Sequence, residues 1–261
     1  MKSAKAEAKE MLDQLLPDLI RLSRRIHENP ELGFQETRAA AWITDYLAQA
    51  GFSVEKGFCA LPTAFLAKAG NGPLHVCICA EYDALPDIGH ACGHNIISAA
   101  AVGAGIAAAS VAETVGLTVM VMGTPAEENG DAGGKVLILE RGGFSGVHAA
   151  MMIHPAPSDI LMPLIIAASM FEVQYTGREA HAAATPEMGI NAADAMTIAQ
   201  TAIGLLRQHI LPTDRIHGII TKGGSAPNVV PAFTAARYIV RSRTLEELDR
   251  LRPRVYRCFE A

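Results

Sequence analysis

The run His90-Ala91-Cys92-Gly93-His94 puts one cysteine between two histidines within five residues. Cys92 and His94 offer a thiolate and an imidazole two residues apart, directly ahead of an Ala-rich stretch that reads as a helix. A helix N-terminus lowers a thiol pKa and suits a metal that takes the deprotonated form. A lone Cys is more often a small buried hydrophobe, but a Cys flanked by two His is a metal-ligand arrangement. Further along, Glu127-Glu128 follows the apolar run 117–122. Adjacent acids in a loop are ordinarily solvated. Here consecutive side chains point different ways, so one carboxylate can hold a metal while its neighbour takes a proton from the attacking water. His154 closes the apolar run 147–153, and Glu81-Tyr82-Asp83 follows the run 74–80. A single His at such a place is more often a packing or surface residue. Together, Cys92, His94, Glu128 and His154 make four donors converging from three strand ends, the edge at which open α/β sheets carry their sites.

The elements that must position these groups follow from hydrophobic spacing. Leu12, Leu15, Leu16, Leu19, Leu22 and Ile26 repeat at helical intervals. Pro17 is expected to kink that helix or begin a second one, and Asn29-Pro30 to stop it. A second helix is expected over 35–50, with Gly51 just past its end. Segments 52–54 and 64–67 read as short edge strands, and 74–80 as a buried one. Then come a helix (95–109), a strand (117–122), a helix (135–141) and an apolar strand (147–153). Strands interleaved with helices predict an α/β fold, a mixed sheet with helices on both faces. After Pro155-Ala156-Pro157 and Pro163 the rhythm changes to strand (169–175), helix (190–209), strand (215–221), strand (234–241), helix (245–259). That order is a ferredoxin-like α+β unit without its last strand. Two domains are expected, a metal-binding one over 1–163 and a smaller one over 164–261.

Composition narrows the function. With 261 residues, 50% hydrophobic and 19% charged, the chain can bury a large core and is not disordered. Its 22 Lys+Arg against 27 Asp+Glu leave no basic excess for nucleic acid. The longest apolar stretch, 96–111, is short and broken by Ser98, Gly103 and Gly105, so no membrane span is expected. The N-terminus lacks a signal-peptide core, and five cysteines are an odd number for a disulfide framework. Reduced thiols in a cytoplasmic protein are therefore expected.

Several motifs occur in an order that resembles a known family. They are His27-Glu28-Asn29-Pro30-Glu31-Leu32-Gly33-Phe34, Asp83-Ala84-Leu85-Pro86, Cys92-Gly93-His94, Glu127-Glu128, His154, Ala180-His181 and Asn228-Val229-Val230-Pro231. The resemblance is to the aminoacylase/carboxypeptidase-type zinc peptidases, in the branch of hippurate hydrolase, plant indole-acetyl-amino-acid hydrolases and aminobenzoyl-glutamate hydrolase. Asn95, where most of that branch has Asp, is closer to the aminobenzoyl-glutamate and Xaa-Arg dipeptidase subgroup. The family implies a catalytic domain and a smaller lid domain that also forms a homodimer. It implies two divalent metal ions, zinc or else manganese, with Cys92 bridging and His94, Glu128 and His154 as the other ligands. It implies Glu127 as general base, Asp83 as the carboxylate orienting a ligand, and His181 and Asn228 as lid residues that contact substrate, His181 across the dimer. By their own residue types, His181 and Asn228 read only as turn chemistry. Glu81 stands where His-x-Asp relatives carry a metal-binding His. The family also continues past residue 261 and supplies one more metal-binding His, so a truncated chain is expected.

The leading expectation is a metal-dependent amidohydrolase acting on small amide substrates: N-acyl amino acids, aminobenzoyl-glutamate-like compounds or dipeptides. One rival is a catalytically incomplete fragment that only binds metal and dimerises. Another is a thiol hydrolase with Cys92 as nucleophile, activated by His90 or His94.

Overall fold

The apolar spacing at the start of the chain forms α1 (Ala4–His27), in a computed structural model that describes residues 3–260. Ser3 caps it by accepting the Ala6 N–H. The helix continues through Pro17 without the expected break. Proline removes one ladder hydrogen bond, but Met11 and Leu15 before it share one core with Leu19, Leu22 and Ile26 after it. That common face keeps both halves in one helix. The following helix, α2 (Thr37–Gln49), takes its N-terminal satisfaction from Glu31, whose carboxylate accepts the N–H groups of Arg38 and Ala39.

A five-stranded sheet follows from β1 (Ser53–Lys56), β2 (Phe65–Ala69), β3 (Leu74–Ala80), β4 (Leu117–Gly123) and β5 (Ala149–Met151). Between β3 and β4 run α3 (His94–Ala109) and α4 (Ala112–Val115), and α5 (Gly134–Glu140) precedes β5. The strand order is β1-β2-β4-β3-β5, with β3 parallel to both β4 and β5 and β2 antiparallel to β1 and β4. β2 is thus an interior strand and not the edge its shortness implied, and Phe65, Leu66 and Ala67 are all buried. β5 keeps only three residues of the apolar run 147–153 and lies exposed at the sheet edge, with Met151 half exposed.

Both faces of the sheet are covered, which is why β3 and β4 read as apolar runs interrupted only by His75 and Thr118 near their starts. Ile78, Ala80, Val119 and Val121 face α1, α2 and α3, while Cys77, Cys79, Met120 and Met122 face Ile138 and Leu137 of α5. α3 is Ala- and Gly-rich because it is wedged between sheet and α1: a Cβ at Gly105 would run into Val121, and one at Gly103 into Leu19. No helix among the described residues is long and apolar enough to cross a membrane.

Residues Ile160–Ala261 form a compact unit separate from Met1–Asp159. It contains β6 (Ala167–Thr176), α6 (Ala192–Leu206), β7 (Arg215–Lys222), β8 (Phe233–Ser242) and α7 (Leu245–Glu260). The antiparallel order β6-β8-β7 is that of a ferredoxin-like sheet. α6 and α7 cover one face through Met196, Ile203, Leu251, Val255 and Phe259.

Candidate metal centre

Parallel pairing puts the C-terminal ends of β3, β4 and β5 on one edge, with Ala80 beside Gly123 and Ile78 beside Met151. Glu81, Tyr82 and Asp83 leave β3 there, Glu127 and Glu128 follow β4, and His154 follows β5. Gly93 is the N-cap of α3 at φ 91°, a conformation open to glycine and costly for other residues. A Cβ on it would meet Pro155 Cγ at 2.6 Å. Glycine here therefore lets the His154-Pro155 segment close over the helix start, and Cys92 Sγ comes to 3.5 Å from His154 Nε2. The sulfur of Cys92 and the ring nitrogens of His94 and His154 lie within 4.8 Å of one another.

His94 is buried. Its Nδ1 lies 2.8 Å from Asp83 Oδ1 and 2.9 Å from the Asp83 carbonyl oxygen. Both are acceptors, so Nδ1 carries the hydrogen, and in the neutral ring Nε2 holds the lone pair. That buried Nε2 has no hydrogen-bond partner. Around it stand the carboxylates of Glu81 at 3.5 Å, Glu127 at 3.8 Å and Glu128 at 3.9 Å. His154 is tautomerically set in the same sense: its Nδ1 is 2.8 Å from the Pro155 carbonyl, which leaves Nε2 for the cluster. A soft thiolate, two imidazole lone pairs and several carboxylates around an orphaned buried nitrogen fit a divalent cation.

The electrostatics point the same way. Burial and the neighbouring carboxylates, Glu128 first, push the Cys92 thiol up to about 11. Without a cation the thiolate is disfavoured there. Burial works to raise Asp83, but its bonds to His94 and to the Glu128 N–H hold its carboxyl below the usual value. Burial likewise works to lower His94, and the Asp83 carboxylate outweighs it, raising the imidazole pKa. Glu127 is raised by burial and by Glu128 beside it.

The four donors and Glu127 expected from the sequence therefore come together, with Asp83 directly behind His94. In the second unit His181 and Asn228 are also neighbours. The Ala182 N–H donates to the Asn228 carbonyl, and His181 bridges to Val229. His181 Nδ1 accepts the N–H groups of Ala183 and Ala184, so its exposed Nε2 carries the hydrogen. Sequence reasoning assigned no role to Lys135 or Glu36. Lys135, at the start of α5, pairs with the buried Glu81. Glu36, fully buried, accepts the Ala126 N–H at 2.8 Å. Glu36 stands two residues after the motif 27–34 and Lys135 seven after Glu128, but neither belongs to a motif. A polar residue in a run packed beside a strand end is the one signal available, and it is weak.

Comparison with known proteins bears on this arrangement. Residues 167–261 match the model of a peptidase dimerisation domain of the M20 type. The chain is 39% identical to the Xaa-Arg dipeptidase of Mus musculus, an alignment covering 98% of this chain and 62% of the relative. It is 32% identical to one of the subunits of the p-aminobenzoyl-glutamate hydrolase of Escherichia coli, covering 92% of this chain and 54% of that one. The chain thus spans about three-fifths of the length of these relatives. In fold it resembles a Bacillus subtilis protein described as a dinuclear metal binding peptidase of the M20 family. The TM-score is 0.69 at 24% identity, over 97% of this chain and 70% of that one.

Proposed function

The chain belongs to the M20 peptidase family, and we propose that the whole protein is a metal-dependent amidohydrolase. Its substrates would be small amides: N-acyl amino acids, aminobenzoyl-glutamate-like compounds or dipeptides. The observation that carries this reading is the orphaned, buried Nε2 of His94 among Cys92, His154, Glu127 and Glu128.

Cys92, His94, Glu128 and His154 would hold two divalent ions, zinc by the softness of the donor set, with manganese the alternative. When bound, such ions polarise the substrate carbonyl and lower the pKa of the attacking water. Glu127 is the general base. Its carboxyl, raised by burial and by Glu128, is poised to take a proton from water and return it to the leaving amine. Asp83 holds the His94 ring in the ligand tautomer. In the second unit, the His181 Nε2–H suits a substrate carbonyl or carboxylate, and Asn228 stands beside it. The match of 167–261 to a peptidase dimerisation domain supports a homodimer through this unit. There β7 is an edge strand that exposes Ile219 and Ile220.

The thiol-hydrolase reading needs His90 or His94 as the activating base, but the histidine at hydrogen-bond range of Cys92 Sγ is His154, at 3.5 Å. The ring nitrogen of His94 lies within 4.8 Å of that sulfur, and its Nδ1 is held by Asp83. A thiol pushed to about 11 is a poor nucleophile at neutral pH. The test is hydrolysis of an N-acyl amino acid and of a dipeptide by the whole protein, before and after chelation and with Glu127→Gln. Activity that survives both treatments ends the proposal.

A further inference from the structure

The segment 31–36 overlaps the motif 27–34, to which the metal centre gives no part, yet it touches two of the loops that form the centre. The Glu31 carbonyl accepts the Ala84 N–H at 2.8 Å, one residue after Asp83, and Leu32 bridges to Ala84. Gly33 lies so close to the other loop that a Cβ would sit 2.9 Å from the Ala126 Cβ. Glu36 then places a fully buried carboxylate against the backbone of that loop, Oε1 accepting the Ala126 N–H at 2.8 Å.

Ala126 is an unusual residue to find there. It has φ 56°, in the left-handed region, and is itself fully buried. An alanine reaches that conformation only where its surroundings impose it. The next two residues are Glu127 and Glu128, so the turn at 126 sets the direction in which both carboxylates leave the strand end. A buried carboxylate is costly to keep, and the second oxygen of Glu36 has no hydrogen-bond partner. Its hydrogen bond to a strained backbone amide gives that buried carboxyl group a purpose.

We infer that Glu36 is a positioning residue for the metal centre: it clamps the Ala126 turn and so aims Glu127 and Glu128. The catalytic part of this inference rests on the reading of Glu127 as base and Glu128 as ligand. The clamp itself does not.

Two readouts separate them. Hydrogen exchange at the Ala126 amide reads the clamp directly. It should be protected in the wild type and in Glu36→Gln, which keeps an acceptor, and exchange about tenfold or more faster in Glu36→Leu. Kinetics of the whole protein read the consequence. Glu36→Leu should lower kcat about a hundredfold with KM within roughly threefold, as misdirected catalytic groups do. Glu36→Gln should stay within about fivefold of wild type. Adding Ala126→Gly to Glu36→Leu should recover about tenfold, because glycine takes the turn without the clamp. An unprotected Ala126 amide in the wild type overturns the inference. So does equal loss in the Gln and Leu variants, unchanged kcat in Glu36→Leu, or no recovery with glycine. Where Glu36→Leu does not fold, the Gln variant decides alone: retained Ala126 protection supports the clamp and lost protection overturns it. If the whole protein shows no chelator-sensitive amide hydrolysis, the amidohydrolase reading falls, and the exchange measurement still decides the clamp.

Discussion

Asp83 meets His94 twice, through its carboxylate at 2.8 Å and its own carbonyl at 2.9 Å, both on Nδ1. The contact joins the end of β3 to the first turn of α3 and fixes which nitrogen of His94 faces the cluster. Asp83→Asn keeps the shape but loses the charge that stabilises the ring against a cation. We expect metal affinity to fall about 10- to 100-fold, the usual effect of losing such a partner. Competition with a calibrated chelator measures it, and affinity equal to wild type would refute the assigned role.

Metal removal and the loss of the base should be separable. Chelation should abolish amide hydrolysis, and added zinc or manganese should restore it. Glu127→Gln should retain its metal but lose about 10²- to 10⁴-fold in kcat, the range for a general base. Metal analysis of the same sample shows whether the ion is still held.

The thiol of Cys92, pushed up to about 11, is protonated at neutral pH unless a cation displaces the proton. In chelated protein, iodoacetamide should label Cys92 roughly a hundredfold more slowly at pH 7.5 than an ordinary thiol. The rate should climb until the pH passes the raised pKa. Fast labelling at neutral pH with immediate inactivation would favour the nucleophile reading instead.

Lys135 supplies the counter-charge to Glu81, whose side chain is 1% exposed while that of the lysine is 35% exposed. Lys135→Met should destabilise the protein by about 2 kcal/mol, less than for a fully buried pair because water reaches the ammonium. Glu81→Gln in the same chain should restore most of that by removing the stranded charge. Urea denaturation of the three variants gives the comparison.

Glu31 fastens the start of α2. Burial works to raise its carboxyl, but the N–H groups of Ala39 and Arg38 and the Arg38 guanidinium hold it below the usual value. A carboxyl lowered by folding stabilises fully above its unfolded pKa and loses that contribution as pH falls through the lowered value. Glu31→Ala should therefore cost about 1 kcal/mol at pH 7. The gap to wild type should close in acid, and denaturant midpoints at pH 7 and pH 3 test both halves.

What the residues by themselves determined is local. Apolar runs at 74–80 and 117–122, interrupted only by His75 and Thr118, predict strands buried on both faces, because only such strands can carry apolar side chains in both directions. Glu128 after the second of these runs, His154 after the run 147–153, and Cys92 and His94 at the start of the intervening helix are then expected at one sheet edge, and they do come together there. Tertiary packing decided the rest. It carried α1 through Pro17, because Leu15 and Leu19 share one core. It placed β2 inside the sheet, because the antiparallel partner β4 follows some fifty residues later in the chain. It also brought Lys135 to Glu81 and Glu36 to Ala126 across separations of 54 and 90 residues. No periodicity encodes such pairs, since a buried charge finds its partner only when the chain has closed around it.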